Sequence, residues 1–451
     1  MIRQLGTALG KTTLFAERML HKDGSTFPGK LVTKEFPSYL STLKYPKDVI
    51  MVTGSSGKGS TTNIIAELIR QSGRTVCHNL EGSNMLRGIA STMVKHVTWD
   101  GRIPEDAIVL EVDERYLKVV TKYIVPSLVV INNVTRDQPP RQGNFDLVSQ
   151  EILKGIPESA TVLVNADDPV TARFKLKHKG ELKTFGIERY EHSFVTLPTA
   201  VKDYVYCPKC GKHLHYDYVQ YGSVGGFSCP KCGFRREKPD YDITAVDTDS
   251  REITINDSLT IPTDAQLLFH LYNLAAAYGV ADILGIAPEV TQRVLREQKL
   301  NEKIYSEVDA PSRKFVAISC KAENNATYNL AHYYTFHQPG KKVLVMGVRE
   351  ISRRYSHFDL SWLYDLDMEI LLRPEVERVI CVGPYAPHFA LRLVLAGFKE
   401  EQILQAPTMD SLPELLEGTE GDVYGILNFD EVPPFLEQAK KYTEEAGRKQ
   451  A

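Results

Sequence analysis

A short apolar run, a glycine-rich turn and a helical pattern follow one another near the start of this chain. Residues 49–53 are largely apolar, residues 54–60 read Gly-Ser-Ser-Gly-Lys-Gly-Ser, and residues 63–69 place apolar side chains at helical spacing. In such a junction, backbone N–H groups and the positive end of the helix face an anion, and a lysine adds a full positive charge. The segment therefore predicts a strand, a phosphate-binding loop and a helix. A tight glycine turn with an exposed lysine is the simpler alternative.

A phosphate-binding loop of this kind indicates chemistry that uses ATP. The residues predicted to bind ATP are consecutive, namely Gly54, Ser55, Ser56, Gly57, Lys58, Gly59 and Ser60.

Length and charge limit the kind of protein that can carry this loop. A chain of 451 residues is too long for one hydrophobic core, so we expect two or three domains. The formal net charge of -3 gives no general attraction to nucleic acid, and we predict no nucleic-acid partner. No stretch approaches the ~20 apolar residues of a membrane helix, so we expect a cytoplasmic protein without a transmembrane segment.

The order of apolar runs predicts an α/β protein with two main domains. Runs at residues 49–53, 107–112, 127–132 and 161–165 alternate with helical patterns, which indicates a parallel, doubly wound sheet. A second series at residues 314–319, 342–347, 378–382 and 422–427 follows a polar stretch near residue 300. We therefore predict an ATP-binding domain at residues 1–300, with an insertion at 203–241, and a C-terminal α/β domain at 301–451.

The insertion contains four of the seven cysteines, in two Cys-Pro-Lys-Cys pairs separated by eighteen residues. This spacing is typical of a zinc ribbon with four thiolate ligands. The predicted ligands are Cys207, Cys210, Cys229 and Cys232. Four thiolates leave no open position for water, so the zinc is expected to be structural. A zinc ribbon that binds nucleic acid is the alternative.

A carboxylate at the end of a predicted strand is a candidate magnesium ligand. Glu111 closes the apolar run at residues 107–110, at the edge of the sheet where the phosphate loop also emerges. Magnesium takes few protein ligands and keeps phosphate oxygens and waters, so Ser60 and Glu111 would suffice. A surface acidic cluster is the alternative, and it suits Asp113 and Glu114 better than Glu111.

The series of motifs resembles the MurT family, the ligase-like subunits of lipid II isoglutaminyl synthases within the Mur ligase superfamily. The resemblance covers nearly the whole chain and includes the four-cysteine insertion. It rests on the loop around Lys58 and on the following segments: Phe27-Pro28-Gly29-Lys30, Asn84-Met85-Leu86-Arg87-Gly88, Leu110-Glu111-Val112-Asp113-Glu114, Arg136-Asp137-Gln138, Asn165-Ala166-Asp167-Asp168-Pro169, Tyr272-Asn273-Leu274-Ala275-Ala276, and Asp359-Leu360-Ser361-Trp362-Leu363-Tyr364-Asp365-Leu366-Asp367.

The resemblance implies an ATP-dependent amidotransferase subunit. It implies that the α-carboxylate of D-glutamate in the lipid II stem peptide is activated by ATP, and that ammonia from a GatD-like class I glutaminase converts it to D-isoglutamine. The implied cofactors are ATP, magnesium and structural zinc. Lys58 would act on the phosphates, and Asn273 would lie near the nucleotide. A peripheral contact with the membrane that holds the substrate is also implied.

The resemblance further implies that Asp359 completes a Cys/His/Asp triad in the partner glutaminase, where it would orient the histidine. A helix N-cap is the simpler explanation of this aspartate.

Several departures from the family pattern keep other functions open, and one of them is Pro139-Pro140 in place of an acidic residue after Arg-Asp-Gln. The loop's Gly-Lys-Gly-Ser form is closer to that of folylpolyglutamate synthetases, only Lys321 remains of a Lys-Asn-Pro-x-Gly stretch, and His270 replaces an asparagine. A divergent paralogue with another acceptor is therefore one alternative. A self-contained carboxylate–amine ligase is a second, and a zinc-ribbon scaffold with a decayed ATPase site is a third.

Overall fold

The computed structural model describes residues 1–20, 26–79, 83–138, 143–196, 203–263, 267–298, 302–351 and 359–450. The strands within these ranges are β1 Asp48–Thr53, β2 Val76–His78, β3 Ala107–Glu111, β4 Leu128–Ile131, β5 Thr161–Asn165, β6 Leu182–Ile187, β7 His215–Tyr221, β8 Val224–Ser228, β9 Tyr241–Asp247, β10 Glu252–Ile255, β11 Leu259–Pro262, β12 Tyr305–Ala310, β13 Arg313–Cys320, β14 Lys342–Gly347, β15 Val376–Val382, β16 Ile403–Ala406 and β17 Asp422–Asn428. The α-helices are α1 Ile2–Met19, α2 Phe27–Glu35, α3 Lys58–Gln71, α4 Leu86–His96, α5 Leu117–Val120, α6 Phe145–Gly155, α7 Pro169–Ala172, α8 Leu268–Ile283, α9 Pro288–Arg296, α10 Asn325–His337, α11 Ala386–Leu395, α12 Leu412–Leu415 and α13 Val432–Gln450.

The larger sheet has nine strands in the order β11-β10-β9-β6-β5-β4-β1-β3-β2. The seven strands from β9 to β2 in this order are parallel, and β10 and β11 add an antiparallel edge. The central strands are continuous apolar runs because both faces of a parallel sheet are covered; all four residues of β4 are buried. The four strands predicted in this region are confirmed to within one or two residues at each end.

The smaller sheet has six strands in the order β12-β13-β17-β14-β15-β16. Only β12 is antiparallel to its neighbour, and the other strands pair in parallel. The four strands predicted for this part of the chain are present as β13, β14, β15 and β17. The two large sheets therefore lie on either side of residue 300, and the predicted domain boundary itself falls in residues 299–301, outside the described residues.

The chain between β6 and β9 leaves the large sheet and forms the antiparallel pair β7 and β8. The residues predicted as an insertion, 203–241, contain both strands and both cysteine pairs. A hydrophobic cluster below the large sheet includes Cys207, Cys229 and Phe227, so the insertion packs on the domain that contains it.

The segment after β4 makes contacts with both the insertion and the domain of the smaller sheet. Arg136, which follows β4, donates Nη1 to Asp365 at 2.9 Å and pairs through Nε with Asp203 of the insertion at 2.5 Å. The backbone N–H of Gln138 donates to the carbonyl of Glu323 at 2.8 Å. Among the described residues, no helix is long and apolar enough to cross a membrane.

Candidate active site

The predicted phosphate loop connects β1 to α3 in the structure. Gly54 has φ 133° and Gly57 has φ 77°, in the region that favours glycine. A Cβ atom at Gly57 would lie 2.5 Å from Oδ1 of Asn273, so this position also has no room for a side chain. Helix α3 begins at Lys58, which directs its N-terminal N–H groups and the positive end of its dipole at the loop. The backbone is therefore built to receive an anion.

Ser55 is a buried member of the predicted phosphate loop. It is 2% exposed, and its backbone N–H donates to the carbonyl of Asn133 at 3.0 Å. Its hydroxyl donates to the carbonyl of Thr135 at 3.0 Å and accepts the N–H of the same residue at 2.9 Å. Ser55 therefore fixes the loop on the segment after β4, and its role in ATP binding stays a prediction.

The remaining positions of the loop are more open than Ser55. Residues 56–60 are all half-buried, so a ligand can reach them from the cleft. They stay predictions as ATP-binding residues, together with the backbone of Gly54. Sequence spacing could not single out Ser55, because its bonds are made to residues about 80 positions away.

The side chain of Lys58 is largely buried and forms an ion pair. It is therefore not the exposed lysine of a simple glycine turn. Its Nζ lies 2.8 Å from Oε1 of Glu114 and also donates to the carbonyl of Gly54. Burial lowers the pKa of Lys58, but the carboxylates of Glu114 and Asp137 outweigh burial and raise it above its usual value. Lys58 therefore carries its positive charge at neutral pH.

Glu114 shows that the sequence interpretation of the acidic cluster is wrong. A surface cluster is the expectation for Asp113 and Glu114, yet they are only 5% and 1% exposed. The chain turns inward after β3, and the buried ammonium of Lys58 compensates the charge of Glu114. Helical or strand spacing could not reveal this pair, because the two residues are 56 positions apart.

Three asparagines hold the loop, and two of them were not predicted. Asn132 and Asn133 follow β4, where Asn133 Oδ1 accepts the N–H of Ser56 at 3.0 Å and Asn132 Nδ2 donates to Thr61 at 2.9 Å. Asn273 of α8 accepts the hydroxyl of Thr61 at 3.1 Å, and its Nδ2 is buried without a partner among the described residues. The position of Asn132 and Asn133 directly after a buried strand was the signal that could have identified them.

The predicted magnesium ligands lie beside the same loop. Glu111 ends β3, which pairs with β1, and its Oε1 accepts the side-chain amide of Asn84 at 2.8 Å. Its Oε2 would lie 3.1 Å from a Cβ atom at Gly59, so this oxygen faces the loop. Ser60 is half-buried in the first turn of α3. One free carboxylate oxygen and a hydroxyl beside a phosphate loop are a donor set that suits magnesium.

His270 lies one turn before Asn273 on α8. It is 3% exposed, and its Nε2 has no hydrogen-bond partner among the described residues. Burial lowers the pKa of His270 to about 4, so the ring is neutral at physiological pH.

Residues of the smaller sheet's domain complete the cleft. Lys321 Nζ lies 2.5 Å from Oδ2 of Asp137, and Asn324 Nδ2 donates to the other oxygen at 3.0 Å. Asp137 is buried and is also one of the charges that raise the pKa of Lys58. Lys321 of the smaller sheet's domain therefore pairs across the cleft with a buried aspartate whose charge also acts on Lys58.

An acidic residue, Glu323, lies between Lys321 and Asn324 in the same segment. Glu323 adopts a left-handed backbone conformation with φ 61° and is 3% exposed. Burial, followed by repulsion from Asp137 and Asp359, raises the pKa of Glu323 to about 7. Strain and a raised pKa at one residue indicate that the surrounding cleft holds it in place.

Asp359 is half-buried at the edge of this cleft. Its Oδ1 accepts the N–H of Ser361 at 2.8 Å, and Ser361 begins a 3-10 helix, Ser361–Asp365. The N-cap of this helix is Leu360 and carries no side-chain capping bond, so the helix N-cap that the sequence offers as the simpler explanation of Asp359 is not formed. The role of Asp359 in a partner's triad stays a prediction.

The four predicted zinc ligands converge. The Sγ atoms of Cys207, Cys210, Cys229 and Cys232 lie within 4.8 Å of one another. Each pair forms the same turn: Gly211 donates its N–H to the carbonyl of Cys207 at 2.9 Å, and Gly233 does so to Cys229 at 3.1 Å. Both glycines have φ near 70°, at 70° and 73°. These residues fit a tetrahedral metal site with sulfur ligands, and zinc is the metal that such a site favours.

The chain matches two protein family models. Residues 52–204 match the Mur ligase middle domain, and residues 322–429 match the MurT ligase C-terminal domain. Among solved structures, the fold is similar to that of a pseudomurein peptide ligase type C from Methanothermus fervidus, with a TM-score of 0.68. The two sequences are 18% identical, and the match covers 90% of this chain and 83% of that structure. Fold and domain content define a Mur-type protein, and Mur ligases form carbon–nitrogen bonds with ATP.

More specifically, the chain is a homologue of MurT subunits. It is 29% identical to the MurT subunit of the glutamine-hydrolysing lipid II isoglutaminyl synthase of Staphylococcus aureus, over 96% of this chain and 97% of that protein. It is 25% identical to the corresponding subunit of Streptococcus pneumoniae, over 92% and 91% of the two chains. The resemblance predicted from the motifs is therefore confirmed, and the roles of the individual site residues stay predictions.

Proposed function

We propose that this chain is the synthetase subunit that amidates the α-carboxylate of D-glutamate in the lipid II stem peptide. ATP converts the carboxylate to an acyl phosphate, and ammonia from a partner glutaminase replaces the phosphate to give D-isoglutamine. The names of the relatives, glutamine-hydrolysing synthase subunits, support this reaction and imply a second subunit. The observation that carries the proposal is the ion pair of Lys321 with the buried Asp137, which crosses from the smaller domain to the segment that holds the phosphate loop.

The chemistry follows from the charges in the cleft. A carboxylate is a poor acceptor for a nucleophile, whereas an acyl phosphate offers a good leaving group. The transfer spreads negative charge over the phosphoryl oxygens, and fixed positive groups lower its barrier. Lys58 and the loop N–H groups hold the phosphates from the larger domain, and Lys321 adds a second positive charge from the smaller domain. Asn273 lies against the loop, where it would help to place the nucleotide.

Ser60 and the free oxygen of Glu111 would hold magnesium. When bound, the ion neutralises phosphate charge and fixes the orientation of the phosphate oxygens. Asn84 keeps the carboxylate of Glu111 turned towards the loop through its 2.8 Å hydrogen bond. The four cysteines would hold structural zinc and connect the two strands of the insertion to the domain below.

The proposal assigns the glutaminase contact to the domain of the smaller sheet. Asp359 is accessible at the edge of the cleft, so a class I glutaminase docked there would receive its carboxylate and would release ammonia close to the acyl phosphate. A cytoplasmic location stays a prediction.

The test is an amidation assay on the purified chain with ATP, magnesium, lipid II and ammonium, followed by mass spectrometry of the product. We expect ATP-dependent amidation without added glutaminase, and glutamine should replace ammonium only when the glutaminase is present. Glu111→Gln should raise the magnesium concentration needed for half-maximal rate by about tenfold, because one anionic ligand is lost. Glu289→Gln, at an exposed glutamate in the first turn of α9, is the matched control.

Two outcomes would reject this function. Product formation from a free amino acid, with ammonium inactive, would identify a self-contained ligase. No ATP hydrolysis and no amidation by correctly folded, metal-loaded protein would identify a scaffold.

A further inference from the structure

Helix α1 has an outward face with large apolar side chains that are in contact with solvent. The residues that it buries are small or hydroxylated, namely Gly6, Thr7, Gly10 and Thr13. Leu9 and Leu14 are half-buried against the core, whereas the large apolar side chains on the outward side are exposed: Leu5 is 50% exposed, Phe15 67% and Met19 67%. A helix on a globular protein normally shows the reverse arrangement, with the apolar stripe facing the core.

The orientation of α1 is determined by close packing of its glycines. A Cβ atom at Gly10 would lie 2.5 Å from Val94 of α4, and one at Gly6 would lie 2.4 Å from the ring of Tyr39. Larger residues at these positions would push the helix away, so α1 cannot turn its apolar face inward without losing this contact. The exposed apolar face is thus built into the packing.

Basic residues border the apolar face. Helix α1 contains Arg3, Lys11 and Arg18 and one acidic residue, Glu17. On a helical projection, Lys11 and Arg18 lie along one side of the stripe formed by Leu5, Phe15 and Met19. An apolar stripe with Phe and Leu and a basic border is the pattern of helices that lie in the surface of an anionic bilayer.

The same part of the molecule contains a basic groove that leads towards the predicted magnesium ligand. The groove has a volume of about 790 Å³, and Lys30 and Lys34 of α2 and Arg87 of α4 line it. Its wall includes Asn84, which hydrogen-bonds to Glu111. Helix α1 packs on both α2 and α4, so its exposed face and the groove belong to one rigid layer.

We propose that the exposed face of α1 docks on an anionic lipid bilayer and thereby presents the groove to an acceptor anchored in that bilayer. The need for such an acceptor rests on the proposed function. The occupant is a lipid surface and not a second copy of the chain, because the face combines apolar side chains with a basic border. That combination complements acidic lipid headgroups, whereas a second copy would bring the same positive charge.

The test is cosedimentation of the full chain with vesicles of phosphatidylglycerol and phosphatidylcholine, or of phosphatidylcholine alone, without ATP or acceptor. We expect binding to the anionic vesicles that weakens with added salt. F15S/M19S should reduce this binding by about tenfold or more, because two exposed apolar anchors are lost. L395S is the matched control: Leu395 is 63% exposed on α11, in the other domain, and its replacement should leave binding unchanged.

A second measurement separates docking from the reaction itself. F15S/M19S should amidate lipid II in vesicles more slowly than wild type, but it should amidate a water-soluble stem-peptide acceptor at the wild-type rate. If the wild-type protein did not amidate the water-soluble acceptor, the proposed function would be rejected. The vesicle-binding measurement would still test docking, because it uses no acceptor.

Equal vesicle binding by wild type and F15S/M19S, or no binding by wild type, would overturn docking. So would light scattering that shows a wild-type dimer and an F15S/M19S monomer without any vesicle binding, since the face would then join two copies. Thermal unfolding of each variant would confirm that the protein is folded.

Discussion

The ammonium of Lys58 lies 2.8 Å from Oε1 of Glu114, and both side chains are almost inaccessible, at 10% and 1%. The lysine of the phosphate loop is therefore part of a buried ion pair. Removing one partner of such a pair leaves an uncompensated charge in the interior, which costs more than the pair itself contributes. Activity and stability are coupled at this position.

We predict that Lys58→Ala abolishes ATP-dependent amidation and also lowers the free energy of unfolding by about 2 to 4 kcal/mol, because Glu114 loses its partner. The double variant Lys58→Ala/Glu114→Gln should recover most of the stability and remain inactive. Denaturant unfolding and the amidation assay on the same preparations would check this. If the double variant were no more stable than Lys58→Ala, the ion pair would not be the cause of the loss.

Glu323 should make stability depend on pH. Its pKa is raised to about 7 from a usual value of 4.5, so the folded protein holds this proton more tightly than the unfolded chain does. Wild-type stability therefore falls as pH rises between those two values. Glu323→Gln removes the ionisation, and we expect it to be more stable than wild type by about 1 to 3 kcal/mol at pH 8.

The difference in the free energy of unfolding between Glu323→Gln and wild type should shrink towards zero at pH 5, because Glu323 of the folded protein is already protonated there. Glu417→Gln, an exposed residue of the same domain, should show no such dependence. Urea unfolding at both pH values measures the effect. The same stability difference between the variant and wild type at pH 5 and pH 8 would show that the ionisation of Glu323 is not its cause.

The cysteine cluster should hold one zinc ion per chain, because four thiolates within 4.8 Å of one another close a tetrahedral shell. Cys229→Ser should lose the metal, lower the melting temperature and increase proteolysis of the insertion, with a smaller effect on ATP affinity. Cys381→Ser, at a buried cysteine outside the cluster, should keep the zinc. Elemental analysis of protein purified without chelators decides the assignment, and protein without metal would refute it.

Asp359 is the residue for which the functional and structural explanations give different results. Asparagine keeps the oxygen that accepts the N–H of Ser361, so Asp359→Asn should preserve the 3-10 helix and the fold. It removes the charge that a partner's histidine would need. With the glutaminase present, we expect glutamine-dependent amidation to fall by about 10²-fold or more and ammonium-dependent amidation to remain.

The control for Asp359→Asn is Asp410→Asn, which changes an exposed aspartate at another 3-10 helix of the same domain. Rates with glutamine and with ammonium would be measured for both variants. Equal glutamine-dependent rates for wild type and Asp359→Asn would reject the shared triad and leave the hydrogen bond to Ser361 as the role of this residue.

Local patterns in the sequence determined the strands, the phosphate loop and the metal cluster. Parallel strands such as β4 and β14 are buried on both faces and must be continuous apolar runs, so they are readable without a structure. The loop at Gly54 and Gly57 and the two cysteine turns depend on residues a few positions apart, whose backbone geometry is a local property. Roles inferred by resemblance, such as that of Asp359, came from the order of motifs and not from physical chemistry.

Only the tertiary structure decided which charges meet and which faces remain exposed. Lys58 and Glu114 are 56 positions apart, and Asp137 and Lys321 are 184 apart, so no spacing rule connects them. The inward turn of Ser55, the burial of Glu114 and the raised pKa of Glu323 likewise depend on segments that are distant in the chain. The outward apolar face of α1 is set by the contacts of its glycines with distant residues. Sequence patterns reflect local backbone preferences. The pairing of charges and the exposure of helix faces depend instead on which distant segments the fold brings into contact.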